Sequence, residues 1–274
     1  MADAEPTPQA EPDRAEDLAP DLAPDREPAR ERKRDRARAR MKRYVDVPLS
    51  IRTSDLPVRA ASALVMIALA AAAVWAGGAW LAGFIGAVAL ATFVEYVLLG
   101  HRAFSSWSGR GVALVFGLVY IGFAGLLLAQ MPVFLMVGVI GTVICVDTFA
   151  YFFGRTIGGP KIAPAISPSK TWAGLLGGVV GASLWLAGFV WMLAGRGSFD
   201  MVGYDIAELA QIVAVGAVLA VAAQAGDFFE SWLKRRAGRK DSSNLIPGHG
   251  GVFDRTDGLI PVALLAGLIL APTA

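Results

Sequence analysis

Seven apolar runs, nearly free of charge, constrain this chain more than any other feature. They fall at roughly 61–76, 79–99, 111–128, 132–153, 173–194, 207–226 and 258–271. A backbone entering lipid must satisfy its own N–H and C=O groups, and helices do so within one segment. About 20 apolar residues are needed to cross the hydrocarbon layer. The expected fold class is therefore all-α: a polytopic integral membrane protein with about seven to nine transmembrane helices, its chemistry carried by cytoplasmic loops. The first and last runs are short for a full crossing, and Gly77-Gly78 predicts a tight turn between the first two. Glycines such as those between Gly174 and Ser183 predict close helix packing. A mean hydropathy of +0.54 and 55% hydrophobic residues argue against a soluble domain.

The charges are as informative as the apolar runs, because they are confined to blocks. Residues 1–24 hold seven acids against Arg14, and residues 25–43 hold ten bases against four acids. Proline and charge at that density predict a disordered N-terminal extension over 1–55, acidic then basic, before a transmembrane domain over 56–274. No apolar h-region precedes residue 56, so no signal peptide is expected. The basic block suits anionic lipid; without aromatic interleaving or a folded module, it gives no support to nucleic-acid binding. The lone Cys145 excludes an intrachain disulfide framework and a cysteine-rich metal site. If the basic N-terminus lies inside, loops 101–110, 154–172 and 227–257 face the cytoplasm. They hold Arg102, Arg110, Arg155, Lys161, Lys170 and the six bases of 227–257, whereas the external loops hold only Arg196.

Two of those cytoplasmic stretches carry candidate chemistry. From Gly226 to Gly258 the chain places five acids and six bases between apolar runs, which is costly unless they face water, pair or bind something ionic. If DFFESWLKR is helical, Asp227, Ser231 and Lys234 share a stripe. Asp254 and Asp257 follow, three apart. Asp227 and Asp254 are suited to holding a divalent cation whose other ligands come from substrate phosphates; hard oxygen donors favour Mg2+ over zinc. Gly250-Gly251 permits close backbone approach to a ligand. His249 is suited either to donating to phosphate and moving a proton or to a structural role. The second stretch, 146–174, offers Asp147 near the end of an apolar run, then Arg155, Gly158-Gly159, Lys161, Ser167, Lys170 and Thr171. Glycines, hydroxyls and lysines suit phosphate, although the spacing is not that of a P-loop.

These residues resemble the signature of the phosphatidate cytidylyltransferase (CDP-diglyceride synthetase) family. The matching positions are Ser231, Lys234-Arg235, Lys240-Asp241, Pro247, His249-Gly250-Gly251, Asp254-Arg255 and Asp257, with the gaps between them preserved. The likeness extends to VDTFAYFFGR, to Ser167–Trp172, and to Arg59 with Ser62. The resemblance implies transfer of the cytidylyl group of CTP to phosphatidic acid, dependence on Mg2+, a homodimer, and a site open to the cytoplasm of a bacterial inner membrane. Asp227, Asp254, Lys234, Arg235 and His249 would then be catalytic. Asp227, Asp254, Asp257 and Asp147 would serve the metal. Ser231, Lys240, Asp241, Gly250, Gly251, Arg255, Ser167, Lys170 and Thr171 would receive the substrates and membrane lipid. Family members commonly carry glutamate where this chain has Ala173, and Glu95 or Glu230 is the candidate replacement. A lipid or polyprenol kinase, and a transporter or scaffold without turnover, are the alternative readings.

Overall fold

A computed structural model describes residues 56–194 and 204–270. The expected N-terminal extension, 1–55, and most of the loop bearing Arg196, expected to be external, lie outside the described residues. The fold within them is all helical. Its elements are α1 (Leu56–Ala76), α2 (Gly78–Ala103), α3 (Trp107–Gln130), α4 (Val133–Thr156), α5 (Trp172–Leu193), α6 (Ile206–Arg236), α7 (Phe253–Thr256) and α8 (Leu259–Leu270).

Each of the seven predicted apolar runs is a helix, and local chemistry sets the boundaries. Gly77 and Gly78, both at positive φ, separate α1 from α2. Ser106 and Thr171 cap α3 and α5 by accepting from Gly109 N and Gly174 N, and Asp205 with Glu208 forms a capping box on α6. Six helices among the described residues are long and apolar enough to cross a membrane. The seventh, α8, has only 12 residues, about 18 Å of rise against a hydrocarbon layer of about 30 Å. The expected seven to nine crossings are thus six long helices and one short apolar helix among the described residues. α8 packs on α3, α4 and α6.

The sixth apolar run does not stop at Gly226. α6 continues for 31 residues through Lys234, Arg235 and Arg236, so DFFESWLKR is helical, and the loop that follows is shorter than the predicted 227–257. Three bases in its last turn complement the negative end of the helix dipole. Arg236 donates from Nε to Ala103 O at 2.9 Å and lies over the rings of Phe104 and Trp232, tying the end of α6 to the end of α2.

Two packing motifs position the site. Gly174, Gly177, Gly178 and Gly181 are buried on α5 where it lies along α4, as the glycine spacing predicts. An aromatic cluster of Tyr96, Phe116, Tyr120, Phe229 and Phe253 joins α2, α3, α6 and α7, with Phe253 only 1% exposed and edge-on to Tyr96. Anchoring Phe253 fixes the direction of its neighbour, Asp254.

Candidate active site

The loop 237–252 returns from α6 to α7, and a distant residue shapes it. Glu95, 4% exposed in the apolar helix α2, accepts at Oε1 from Ser243 Oγ (2.6 Å) and Val252 N (3.1 Å), and at Oε2 from Ser242 Oγ (2.8 Å) and Phe253 N (2.8 Å). A carboxyl group at that depth is costly unless its lone pairs are filled, and four donors fill them. A methyl group on Gly251 would overlap both Ser242 Oγ and Glu95 Oε2. The close approach that the glycine pair predicted is therefore made, in this structure, to Glu95 and Ser242. Gly251→Ala is expected to destabilise the fold by about 1–3 kcal/mol through overpacking; an unchanged unfolding temperature would contradict this account of the glycine.

Asp254 stands next to this node. Its Oδ2 accepts from Ser242 N (2.9 Å), Ser242 Oγ (2.7 Å) and Gly251 N (2.8 Å), and its Oδ1 accepts from Lys234 Nζ (2.6 Å). Ser242 has one hydroxyl proton to divide between Glu95 and Asp254. Burial alone would raise the Asp254 carboxyl, but the hydrogen bonds with Glu230, Lys234, Ser242 and Gly251 outweigh it and hold the group below the usual carboxylate range. Lys234 also pairs with Glu230 Oε2 at 2.6 Å. The other oxygen of Glu230, Oε1, is buried without a hydrogen-bond partner.

The second predicted stretch meets the first through an ion pair. Lys170 donates to Asp227 Oδ2, 57 positions along the chain. The loop between α4 and α5 is pinned by Ile162 N to Lys170 O (3.1 Å) and Trp172 N to Pro160 O (3.2 Å), which presents Lys170 to α6. A side chain at Gly258 would lie 3.1 Å from Asp227 Oδ1, so the junction of α7 and α8 closes on the same carboxyl group. Asp257, at that junction, is pushed up by burial, against the pull of Gly258 N–H and the Lys170 and Lys234 ammonium groups. Asp147 faces a cavity of about 300 Å³ that it shares with Tyr151, Arg155, Lys170, Thr171 and Gln224. Lys170 interacts electrostatically with Asp147, Asp257 and Glu230.

The structure thus brings Asp147, Lys170, Asp227, Asp257, Glu230, Lys234 and Asp254 into one continuous band of charge. Other predicted residues have local roles or lie apart from it. The Thr171 hydroxyl caps α5, and Ser167 is buried. Arg255 folds back, donating from Nη2 to His249 O at 2.7 Å. His249 Nδ1 lies 2.8 Å from Ser62 Oγ, whose hydroxyl also reaches Pro247 O at 2.9 Å. A hydroxyl that donates to Pro247 accepts from His249 Nδ1–H, so this contact ties α1 to the loop. Ser231 is half-buried on α6, and Arg235, Lys240 and Asp241 are exposed. Ser242, Ser243 and Gln224 escaped the sequence reading. Glu95 entered it only as a substitute carboxylate, although an acid deep in an apolar run is itself a signal.

The donors present suit a divalent cation in part. They are hard carboxylate oxygens, and Glu230 lies in direct carboxyl–carboxyl contact with Asp254 and Asp257. Among the described residues, however, no three acidic, histidine or cysteine groups are already assembled around a common point, and Asp227 and Asp254 each hold a lysine.

A family model described as the cytidylyltransferase family matches residues 110–271. The phosphatidate cytidylyltransferase of Brucella abortus (strain 2308) is 41% identical over 168 residues, covering 58% of this chain and 56% of its own length. Those of Rickettsia bellii (strain RML369-C) and Rickettsia felis (strain ATCC VR-1525 / URRWXCal2) are 42% and 43% identical over 118 and 120 residues. Each covers 43% of this chain, with 49% and 50% of their own lengths matched. The chain spans about half the length of the curated relatives it matches.

Proposed function

Because the chain belongs to the cytidylyltransferase family across residues 110–271, we propose that it transfers the cytidylyl group of CTP to phosphatidic acid, forming CDP-diacylglycerol and pyrophosphate. The observation that carries this reading is the band of acids and lysines, from Asp147 to Asp254, at the ends of membrane helices. A phosphatidate oxygen attacks the α-phosphorus of CTP; the new P–O bond forms as the bond to the β-phosphate oxygen breaks, and pyrophosphate leaves with that electron pair. The lipid phosphate is already an anionic nucleophile, so no covalent protein intermediate is needed.

The difficulty is electrostatic, since two polyanions must meet beside lipid. Lys170 and Lys234 are held against Asp227 and Asp254 before substrate arrives, which keeps the buried charge balanced. Incoming phosphates offer both lysines new partners and release the two carboxyl groups. Asp227 and Asp254 would then hold Mg2+, with Asp257 and Asp147 flanking them. The bound cation supplies neutralisation of the phosphate charge and stabilisation of the leaving oxygen. Arg235, Lys240 and Arg255 supply further positive charge towards water, with Ser231, Asp241, Ser167, Thr171 and the Gly250-Gly251 backbone around the substrates. His249 acts from the loop that Ser62 tethers. In this reading the N-terminus and the site face the cytoplasm of a bacterial inner membrane, and the protein works as a homodimer.

The test is reconstitution of the full chain with CTP, phosphatidate and magnesium. CDP-diacylglycerol is expected, carrying label from the α-phosphate of CTP and none from the γ-phosphate. Chelation by EDTA is expected to stop the reaction, and added Mg2+ to restore it. Transfer of the γ-phosphate instead would make the protein a lipid kinase. Turnover that persists under chelation would remove the metal role of Asp227 and Asp254.

A further inference from the structure

Gln224 lies on α6 one turn before Asp227, in the otherwise small, apolar run Ala222-Ala223-Gln224-Ala225-Gly226. Its side chain lines the polar cavity of about 300 Å³ and is 5% exposed, and Oε1 has no hydrogen-bond partner. A buried amide oxygen left without a donor is destabilising. The run of alanines around it offers no side-chain donor. None of the donors that share the cavity, Lys170, Arg155 and the hydroxyls of Tyr151, Ser169 and Thr171, bonds this oxygen; Lys170 holds Asp227 and Arg155 the Tyr151 hydroxyl at 3.0 Å. An N–H or O–H brought by a ligand would satisfy the Gln224 oxygen.

That requirement separates the two substrates of the proposed reaction, on which this inference rests. Ionised phosphatidate presents ester and phosphate oxygens, all of them acceptors. CTP brings donors: the exocyclic amine of cytosine and the ribose hydroxyls. We infer that Gln224 is a nucleotide-binding residue, its carboxamide reading the nucleoside end of CTP inside the cavity between α4, α5 and α6. The size of the cavity is at the lower end of the roughly 300–1,000 Å³ of small-molecule sites. Its cations, Lys170 and Arg155, lie where the attached phosphates would need them. The adjacent donor and acceptor of one carboxamide suit the edge of a base, as glutamine does when it pairs with adenine in a DNA groove.

The experiment compares the full-length protein in detergent with Gln224→Met, which keeps length and apolar bulk but removes the amide, and Gln224→Asn, which shortens the amide by one methylene. Calorimetric titration with CTP in the absence of lipid measures binding alone, and the CDP-lipid assay gives KM for each substrate. For Gln224→Met, CTP affinity is expected to fall about tenfold or more, with KM for phosphatidate within about twofold of wild type. Competition by UTP and dCTP identifies the donor. Reduced discrimination between CTP and UTP in the variants assigns the base amine, and reduced discrimination between CTP and dCTP assigns a ribose hydroxyl. Should Gln224→Met aggregate on gel filtration, Gln224→Asn carries the same comparison. Wild-type CTP affinity in the soluble variant or variants, or a loss confined to KM for phosphatidate, overturns the inference while leaving the proposed reaction intact. If the wild-type protein neither binds CTP nor makes CDP-diacylglycerol, the proposed reaction fails, and this inference falls with it.

Discussion

Asp254→Ala is expected to lower CDP-diacylglycerol formation by at least about 10²–10³-fold, the scale of losing one preorganised electrostatic contact in an active site. The side chain also organises its surroundings, accepting from two backbone amides, one hydroxyl and one ammonium. Alanine would leave those donors facing an apolar methyl, at a cost on the order of 1–3 kcal/mol for each one that water cannot reach. Activity and unfolding temperature should therefore fall together. Asp254→Asn separates the two effects: its amide oxygen still accepts from Ser242 N and Gly251 N, while the negative charge is gone. The asparagine variant loses the ion pair, because its amide NH2 then faces the Lys234 ammonium. It is expected to recover only part of the unfolding temperature lost in Asp254→Ala and to remain inactive. Near-wild-type turnover in Asp254→Asn would show that the charge is dispensable and would sink the proposed metal role.

Lys234→Met should produce the largest loss of stability. The ammonium sits between Glu230 and Asp254 at 2.6 Å from each, with side chains 14%, 2% and 7% exposed. Methionine matches the aliphatic stem and removes only the charge, leaving two buried acids next to one another. Breaking a buried pair in this way typically costs about 3–5 kcal/mol, because the partner keeps its desolvation penalty without its counter-charge. Adding Glu230→Gln replaces one of the two adjoining acids with an amide that can donate to Asp254, so the double variant should recover part of the lost unfolding temperature even though it restores no ion pair. A double variant less stable than Lys234→Met alone would show that Glu230 contributes in some way other than as a counter-charge. Lys234→Met with wild-type stability would show that the cation is not needed to balance this node.

Much of the architecture was legible because membrane insertion is a local requirement. Each apolar run must satisfy its own backbone, and all seven became helices for that reason. Run length could not reveal that α6 continues past Gly226, since its charged end is stabilised by contacts with Ala103, Phe104, Asp254 and Asp227's partner on another loop. The shortness of α8, 12 residues, was legible in the length of its run. In the candidate site, Asp227, Asp254, Lys170 and Lys234 stood out as charge next to lipid-soluble segments. Their pairing did not, because any of several lysines could reach any of several acids.

The sequence by itself determined an all-helical membrane protein and the residue types from which its polar site is made, because hydrophobic length and charge are properties of the chain. Only the tertiary structure decided which groups meet. Glu95 gathers a loop lying 147 to 158 residues further along the chain, Lys170 answers Asp227, and Gln224 lines a cavity shared with α4, α5 and the loop between them. Those choices depend on how the helices pack, and the cost of burying an unpaired polar group makes each pairing matter.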